Sequence, residues 1–312
     1  MAMRFADELQ PPGRARSVAA SLIGAWIRTA WPGSTGGPTL LARYIPMLQL
    51  LPVGVGDGQY LYVDLRDGLS HRLLSGAPWQ EPPWEHDEQQ VMRRVVRPGD
   101  RVFDIGAHMG LLTVLLASLV GRTGAVHAFE INPRKIPALR ETVRRLPHAT
   151  LHTFGLADRE MQTDLFVPED QTMASLADWT AGRVGPVERM TSSVRTIDAL
   201  RAGGTIPQPD FVKCDVEGAE ALIFRGAATA FDREEAPIVL YEADSRSAAA
   251  FNVDVAEATR VLRGYSRAAF SFYWVRPNAV LQPIDLPGGR CQHFNLLAVP
   301  ASRQSRISQA VE

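Results

Sequence analysis

The chain has 312 residues, of which 46% are hydrophobic and 21% are charged, so it can form one large α/β domain with a modest additional segment. A formal net charge of -1 gives no electrostatic reason to expect a nucleic-acid partner, which ordinarily requires a basic surface. Because the only cysteines are Cys214 and Cys291, a disulfide framework is excluded and a reducing, cytoplasmic location is favoured.

The N-terminal region contains the apolar stretch "SVAASLIGAWI", which follows two arginines in the manner of a signal peptide. Arg28 interrupts the stretch and no small-residue cleavage site follows, so we expect an amphipathic helix that packs on the domain or on a partner. Contact of residues 14–31 with a membrane surface stays open as an alternative, because Trp26 and Trp31 lie beside arginines. No apolar run approaches the roughly 20 residues that a spanning helix needs.

Composition divides the chain into three parts. Residues 1–98 are rich in Pro, Gly and Trp and contain the strand-like run "QYLYVDL", which indicates a helical cap segment with a small strand region. From 99 to 300, strand-like and helix-like stretches alternate, beginning with "RVFDI" and "GLLTVLLASLV". Such alternation predicts an α/β fold with a doubly wound, mostly parallel sheet. Residues 301–312 are predicted to form a polar tail.

Two parts of the alternating region depart from the simple pattern. Between about 160 and 196, "TDLFV" and "SSVRTI" predict extra strands, which we interpret as an insertion that covers a substrate. Near the end, "AFSFYWV" and "HFNLLAV" have no helix-length spacer, which predicts an antiparallel hairpin at the sheet edge. Ligands of such sheets bind at the carboxyl ends of the strands, so motifs that follow strands converge on one crevice.

The first of these motifs is "VFDIGAHMG", a strand that runs into a glycine loop and then a helix. It resembles a dinucleotide fingerprint, but His108 stands where that fingerprint needs glycine, and a Cβ there would obstruct a pyrophosphate. A ligand without a pyrophosphate is therefore predicted, and S-adenosylmethionine fits because it offers an adenosine and an amino-acid end. Its predicted contacts in this motif are Asp104, Gly106, Ala107, His108 and Gly110.

Two later strand ends supply further candidates for the donor site. Glu130 closes "AVHAFE" and is positioned to accept both ribose hydroxyls, although NAD would use the same acid. Leu156 and Asp158, in "FGLAD", are predicted to flank or hydrogen-bond the adenine. A plain turn capped by the aspartate explains the "FGLAD" pattern almost as well.

The stretch "FVKCDVEGAE", residues 211–220, gathers three carboxylates at the end of an apolar strand. Burying an uncompensated carboxylate is costly, so a strand end that retains such groups is predicted to use them. Asp215 and Glu217 are the main candidates, and Lys213 points to the same strand face as Asp215. Glu220 is explained equally well as an acid that favours the start of the following helix.

These motifs together resemble the FkbM family of S-adenosylmethionine-dependent methyltransferases. The resemblance covers about residues 84–299, and the K-x-D-x-E-G-x-E string is its most specific part. It implies a class I methyltransferase (Rossmann-like) fold with a seven-stranded sheet, and an O-methyltransferase that acts on a hydroxyl of a sugar or polyketide-type small molecule. Two positions depart from the family: His108 replaces an asparagine, and Cys214 replaces an aliphatic residue and is expected to be a small buried hydrophobe.

Two ways of activating the acceptor hydroxyl remain open. Asp215 or Glu217 acts as a general base, with Lys213 steadying the charge, or Asp215 and Glu242 hold Mg²⁺, which binds the substrate oxygen. Weaker candidates for the pocket are Trp84, Glu85 and His293. Two alternative functions are an NAD(P)-dependent oxidoreductase and a catalytically inactive protein that binds an adenosine ligand.

Overall fold

The computed structural model of the protein describes residues 12–29, 36–56, 58–75, 85–169, 171–183, 185–288 and 293–307. Trp31, Trp84 and Cys291, which the sequence analysis considered, lie outside these ranges. Within the described ranges, no helix combines the length and the apolar character that crossing a membrane requires.

The N-terminal residues form a small unit of helices around a two-stranded hairpin. Its elements are α1 (Arg14–Arg28), α2 (Gly37–Tyr44), β1 (Leu50–Gly56), β2 (Gln59–Asp64) and α3 (Gly68–Leu74), with a 3₁₀ turn at Pro46–Leu48. Strands β1 and β2 pair antiparallel, which confirms the strand predicted in this part of the chain. Buried residues such as Ile23, Leu51 and Leu61 give the unit its own apolar core.

The rest of the chain alternates strands and helices, as predicted. Its elements are α4 (His86–Val95), β3 (Arg101–Ile105), α5 (Leu111–Val120), β4 (Ala125–Phe129), α6 (Ile136–Val143), β5 (Ala149–His152), β6 (Gly155–Leu156), β7 (Met161–Pro168), β8 (Val187–Arg195), α7 (Ile197–Ala202), β9 (Phe211–Cys214), α8 (Glu220–Arg225), α9 (Ala228–Phe231), β10 (Ile238–Asp244), α10 (Ser245–Ala250), α11 (Glu257–Arg263), β11 (Ser271–Arg276), β12 (Val280–Pro283) and β13 (His293–Val299). Short 3₁₀ turns lie at Gln171–Met173, Pro277–Ala279 and Ala301–Arg306.

The main sheet has eight strands in the order β12-β11-β13-β10-β9-β3-β4-β5. Strands β5, β4, β3, β9 and β10 are parallel, whereas β13 runs antiparallel between β10 and β11. The predicted mostly parallel α/β fold is therefore confirmed, and the two late strands pair antiparallel as expected. The sheet has one strand more than the predicted seven, because β12 returns from β11 and forms the edge.

A second, three-stranded sheet has the order β6-β8-β7. Strands β7 and β8 pair antiparallel along their whole length, so the extra strands predicted in this interval are present. In the connection between them, Ser175 forms a bridge with Phe166 of β7, and its hydroxyl donates to the carbonyl of Glu217 at 2.7 Å.

Alternation along the main strands sends side chains to two apolar layers. In β9, Phe211 joins the layer covered by α4 and α5, while Val212 and Cys214 join the layer covered by α7, α8, α9 and α11. The prediction that Cys214 is a small buried hydrophobe is confirmed, because its side chain is fully buried in this second layer. Lys213 faces the first layer at the carboxyl end of the strand, where charged residues of neighbouring strands also lie.

The helical segment after β9 is divided into two short helices, α8 and α9. The break falls at Gly226, where an added Cβ would lie 2.0 Å from the carbonyl oxygen of Ala157. A close backbone approach from the β6 region therefore requires glycine here and ends the first helix.

The N-terminal unit is attached to the main sheet through α6. The backbone N–H of Tyr62 donates to Oγ1 of Thr142 at 3.0 Å, and the guanidinium of Arg145 lies 4.4 Å from the centre of the Tyr62 ring. A buried ion pair between Asp67 and Lys135 joins the unit to the residue that precedes α6. These contacts fix the unit beside the carboxyl ends of the parallel strands.

Candidate active site

A cavity of about 580 Å³ lies at the carboxyl ends of β3, β4, β9 and β10. This volume suits a drug-sized or cofactor-sized ligand. Most of the residues predicted from sequence meet in its wall: Asp104, Gly106, Ala107, His108, Glu130, Leu156, Lys213, Asp215, Glu217 and Glu242. The weaker candidates Glu85 and His293 also line it.

Two predicted donor contacts do not reach the cavity wall. Gly110 has φ 95°, and a Cβ there would lie 2.8 Å from Leu139 and 3.1 Å from Thr142, so this glycine allows α5 and α6 to pack closely. Asp158 lies beyond β6 and its carboxylate pairs with Arg159.

The glycine loop between β3 and α5 rests against the end of β9. Gly106 has φ 80°, and an added Cβ would lie 1.9 Å from the carbonyl oxygen of Asp215. The backbone N–H of Asp215 in turn donates to the carbonyl of Ile105 at 3.1 Å. Glycine at this position therefore brings the loop and the carboxylate cluster together.

His108 also lies in the left-handed region, with φ 54°. Asn and His adopt this conformation more readily than most residues, which explains why either can stand here. Burial lowers the pKa of His108 well below its usual value, and the charges of Lys135 and Lys213 lower it further, so the ring is neutral. Its Nε2 atom is buried without a hydrogen-bond partner, which leaves one polar atom of the wall available to a ligand.

Glu130 connects the end of β4 to the glycine loop. Its Oε2 accepts from the backbone N–H of His108 and its Oε1 from that of Asn132, each at 2.7 Å. Burial raises the pKa of Glu130, and these two hydrogen bonds oppose the rise. Each carboxylate oxygen keeps a second lone pair, so the predicted contact with ribose hydroxyls is compatible with this arrangement.

Asp104 is fully buried at the carboxyl end of β3. Its Oδ2 accepts a hydrogen bond from Thr113 at 2.5 Å, whereas Oδ1 is buried without a partner. Burial raises the pKa of Asp104, and the positive charge of Lys213 opposes this rise. A buried acceptor without a donor is costly, so this oxygen is suited to receive a donor from a bound ligand.

Lys213 is the buried cation at the centre of the cluster. Its Nζ lies 3.4 Å from Oδ2 of Asp215 and 4.0 Å from Oε1 of Glu85, which precedes α4. Burial acts to lower the pKa of Lys213, but the charges of Asp215 and Glu85 outweigh it and raise the pKa above its usual value. The ammonium is therefore held permanently charged beside Asp215.

Three carboxylates, Asp215, Glu217 and Glu242, have oxygens that all lie within 4.8 Å of one another. Burial and the neighbouring carboxylates raise the pKa of Glu217 to about 10 and that of Glu242 to about 7. Burial also acts to raise the pKa of Asp215, but Lys213 and the hydrogen bond from Glu242 lower it below its usual value. At neutral pH, Asp215 is thus ionised while Glu217 retains its proton.

The same three residues form a set of oxygen donors that suits a hard cation such as Mg²⁺. The buried Oε2 of Glu242 has no hydrogen-bond partner among the described residues, so this oxygen is available to a cation. Glu217 extends the pair of metal ligands that the sequence suggested.

His293, on the edge of the cavity, contacts the cluster from β13. Its Nδ1 lies 3.1 Å from Oε1 of Glu242 and 3.6 Å from Oδ2 of Asp244. The hydrogen bond with Glu242 raises the pKa of His293, although burial opposes it. Half of the His293 side chain is exposed, so it joins the buried carboxylates to solvent.

Glu220 has a structural position in the loop after β9. Its Oε1 accepts from the backbone N–H groups of Val216 at 3.1 Å and Gly218 at 3.3 Å, and the side chain is buried. Burial raises the pKa of Glu220 to about 8. This acid closes the loop that presents Asp215 and Glu217, and it does not line the cavity.

Several residues of the wall were not named as candidates from the sequence, although the segment of about 160–196, which contains the β7–β8 connection, was predicted to cover a substrate. Glu88, in α4, accepts a hydrogen bond from Asn295 of β13, and Lys135 reaches the wall from the start of α6. From the β7–β8 connection, the wall receives Gln171, Thr172, Ala174, Ser175 and Leu176. No local pattern marks these residues, because they belong to segments that are brought together only by the tertiary fold.

The family model for the methyltransferase FkbM domain matches residues 104–270, which is more than half of the chain. The chain belongs to the FkbM methyltransferase family. This confirms the resemblance predicted from the motifs, and it identifies the α/β fold as that of a methyltransferase. A search of curated proteins found no match.

Solved structures with a similar fold include three methyltransferase-related proteins. Precorrin-6y C5,15-methyltransferase from Geobacter metallireducens is 11% identical, with 70% of this chain and 90% of that chain covered and a TM-score of 0.40. Aeropyrum pernix fibrillarin in complex with S-adenosyl-L-methionine is 14% identical. The match covers 78% of this chain and 80% of that chain, with a TM-score of 0.37. An S-adenosylmethionine-dependent O-methyltransferase from Thermotoga maritima is 13% identical. The match covers 81% of this chain and 78% of that chain, with a TM-score of 0.38. All three TM-scores are low, so these likenesses carry no argument about this chain.

Proposed function

We propose that this FkbM methyltransferase transfers the methyl group of S-adenosylmethionine to a hydroxyl of a sugar or polyketide-type small molecule. The observation that carries the proposal is the position of Asp215. Its backbone packs against the glycine loop, and its carboxylate, which Lys213 keeps ionised, lies in the wall of the same cavity. A base next to the donor loop is what hydroxyl methylation requires.

The donor end of the cavity suits S-adenosylmethionine. Oδ1 of Asp104 can accept a hydrogen bond from the ammonium group of the methionine end of S-adenosylmethionine. Glu130 can accept hydrogen bonds from the ribose hydroxyls. Asp215, whose pKa is lowered by Lys213, supplies a carboxylate to the same wall that can attract a positively charged sulfonium.

Methyl transfer to an alcohol is an in-line displacement that becomes easier when the hydroxyl proton is removed. The Asp215 carboxylate accepts this proton as the hydroxyl oxygen forms its bond to the methyl carbon. The carbon–sulfur bond breaks and its electron pair stays on sulfur, which leaves neutral S-adenosylhomocysteine. Lys213 holds Asp215 ionised before the proton arrives and orients its carboxylate.

The proton then has a route out of the cavity. Asp215 and Glu242 have carboxylate oxygens within 4.8 Å of each other, and Glu242 contacts the half-exposed ring of His293. Because the pKa of Glu242 lies at about 7, this residue can take up and release a proton at neutral pH. The geometry supports Asp215 as the base more strongly than Glu217, which is already protonated.

A divalent cation is the alternative means of activation. Asp215, Glu217 and Glu242 would hold it, and when bound it would lower the pKa of the acceptor hydroxyl. In that case Lys213 would compensate the excess negative charge of the cluster rather than tune a base.

The β7–β8 connection and α3 supply both polar and apolar residues to the wall. Gln171, Thr172 and Ser175 offer hydrogen-bonding groups, and Leu73 and Leu176 offer apolar surface. This mixture suits a hydroxylated small molecule with a carbon skeleton, as in sugars and polyketides.

The experiment that tests the proposal compares Asp215→Asn with wild type, using labelled S-adenosylmethionine and a panel of hydroxylated sugars and polyketides, read by mass spectrometry. If Asp215 is the base, kcat falls by about 10²–10⁴-fold while donor affinity, measured by calorimetry, changes little. Asp285→Asn is the matched control, because Asp285 is 84% exposed and outside the cavity.

The outcomes of these measurements separate the possibilities. Loss of activity with a chelator, recovery with Mg²⁺, and equal damage from Glu242→Gln would favour the metal, whereas a wild type indifferent to chelator excludes it. Turnover of Asp215→Asn within a few-fold of wild type would exclude both roles. Binding of the donor without methylation of any acceptor on a broad panel would favour an inactive adenosine-ligand-binding protein, and binding of NAD would favour the oxidoreductase.

A further inference from the structure

The N-terminal unit exposes an unusual amount of apolar surface. In the described part of the chain nine large apolar side chains are exposed, and seven of them lie between residues 18 and 47. They are Val18, Leu22, Leu40, Leu41, Tyr44, Ile45 and Met47. Isolated exposed leucines are ordinary, but a concentration of this kind marks an interaction surface.

Within α1 the exposed residues follow one side of the helix. Arg14, Val18, Leu22, Ala25 and Arg28 are exposed at spacings of three or four, which places them in one stripe. The opposite side, with Ala20, Ile23 and Gly24, is buried against the unit's own core. The residues of the stripe therefore do not take part in packing α1 against the core of the unit.

The exposed residues of α2 and the turn after it adjoin this stripe. The ring of Trp26 packs on Gly37, where an added Cβ would lie 2.4 Å from the indole, so α1 and α2 are in direct contact. Beyond that contact Tyr44 is 79% exposed and Arg43 stands beside it. The guanidinium of Arg28 instead donates to the carbonyl of Ser75 at 3.1 Å. We call the seven apolar side chains, together with Arg14 and Arg43, the basic apolar face.

The charge of this region is one-sided. Residues 9–56 contain four arginines and no aspartate or glutamate, in a chain whose acidic and basic residues otherwise nearly balance. Arg16 lies 3.9 Å from Glu141, but among the described residues no carboxylate pairs with Arg14, Arg28 or Arg43. The basic apolar face thus combines uncompensated positive charge with exposed leucine, isoleucine and tyrosine.

We infer that the basic apolar face docks on the surface of an anionic lipid bilayer. Arginines attract anionic headgroups, while the aliphatic side chains and Tyr44 enter the boundary between headgroups and acyl chains. A second copy of the chain fits less well, because a two-fold interface would oppose the arginines of both copies without a counter-charge. Nucleic acid fits less well because it offers nothing to the apolar side chains. This inference is independent of the proposed acceptor and mechanism.

The test is co-sedimentation of the full chain with vesicles of phosphatidylcholine, with or without about 30% phosphatidylglycerol, at about 0.1 M salt. We expect binding to the anionic vesicles only, and weaker binding at high salt. Arg14→Gln and Arg43→Gln should each weaken binding about fivefold. The double variant Leu22→Glu/Tyr44→Glu should weaken it at least tenfold.

Met161→Glu is the matched control, because Met161 is 47% exposed on β7, outside this unit. Melting temperature and donor binding verify that each variant is folded. The inference is wrong if wild type ignores anionic vesicles or if Met161→Glu loses binding as strongly as the double variant. A dimer that Leu22→Glu/Tyr44→Glu dissociates, without vesicle binding by wild type, would assign the face to a second copy. Binding of RNA that the double variant retains, again without vesicle binding, would assign the charge to nucleic acid.

Discussion

Glu217 offers a direct test of the electrostatics of the carboxylate cluster. The folded protein holds the pKa of Glu217 at about 10, against 4.5 for an ordinary glutamate, because the carboxyl group is partly desolvated and lies beside Glu242 and Asp215. Between these two pH values the folded state keeps a proton that the unfolded chain has released. Stability from this group is therefore complete below pH 4.5 and is lost progressively as the pH rises toward 10.

Glu217→Gln removes this dependence, because glutamine resembles the protonated acid in shape and carries no charge. Each pH unit above the unfolded pKa costs about 1.4 kcal/mol, so at about pH 7.5 the variant should be more stable than wild type by about 2–4 kcal/mol. At about pH 4.5 the two should be equal within about 0.5 kcal/mol. Urea unfolding at the two pH values, with a chelator present, measures both differences.

An equal effect of the substitution at both pH values would refute the reasoning, because it would show that Glu217 is not protonated in the folded state at neutral pH. Repeating the measurement with Mg²⁺ adds a second comparison. If a metal binds the cluster, Mg²⁺ should stabilise wild type and have a much smaller effect on Glu217→Gln.

Two further substitutions test the donor end of the cavity. Gly106→Ala should lower the free energy of unfolding by about 3 kcal/mol or more, because the new Cβ would lie 1.9 Å from the Asp215 carbonyl oxygen and φ at this position is 80°. Gly54→Ala is the control, since a Cβ there would have nothing within 4 Å. Similar denaturant midpoints for the two variants would contradict this expectation. Glu130→Ala should weaken the binding of S-adenosylhomocysteine, measured by calorimetry, at least tenfold. The substitution removes the proposed acceptor for the ribose hydroxyls and the acceptor of the hydrogen bond from the His108 N–H. Unchanged affinity would show that Glu130 is not part of the donor site.

Much of the candidate site could be predicted because it follows from a rule of chain topology. Asp104, Glu130, Asp215 and Glu242 each stand at the carboxyl end of a strand, and parallel strands bring these ends to one edge of the sheet. The family motif added the identity of the reaction. Neither signal depends on details of packing, which is why both could be recognised in a single sequence.

The rest of the site could not be predicted, since it depends on contacts between distant segments. Lys135 enters the wall because Asp67, almost seventy residues earlier, neutralises it, and no local pattern relates the two. The protonation of Glu217 likewise depends on Glu242 of the next strand. Asp158 shows the opposite case: its spacing suited the adenine, but the turn directs its carboxylate to Arg159.

The edge of the sheet escaped prediction for a different reason. Strand β12 has four residues and ends in a proline, so it shows too little alternation to be distinguished from a loop. This segment is a strand because it pairs with β11, and its own sequence does not indicate that structure.

The buried ion pair between Asp67 and Lys135 has a consequence for choosing the smallest fragment that folds. A protein cut to the 104–270 span of the family match would keep Lys135 and lose Asp67. Lys135 would lose its counter-ion together with the unit that covers it, and the cut would also remove residues 101–103 of β3, the strand that pairs with both β4 and β9. The same cut would also expose the surface on which Tyr62 rests against Thr142 and Arg145. The family match therefore covers fewer residues than we expect a stably folded fragment to need. Such a fragment should include the hairpin and helices that precede residue 104.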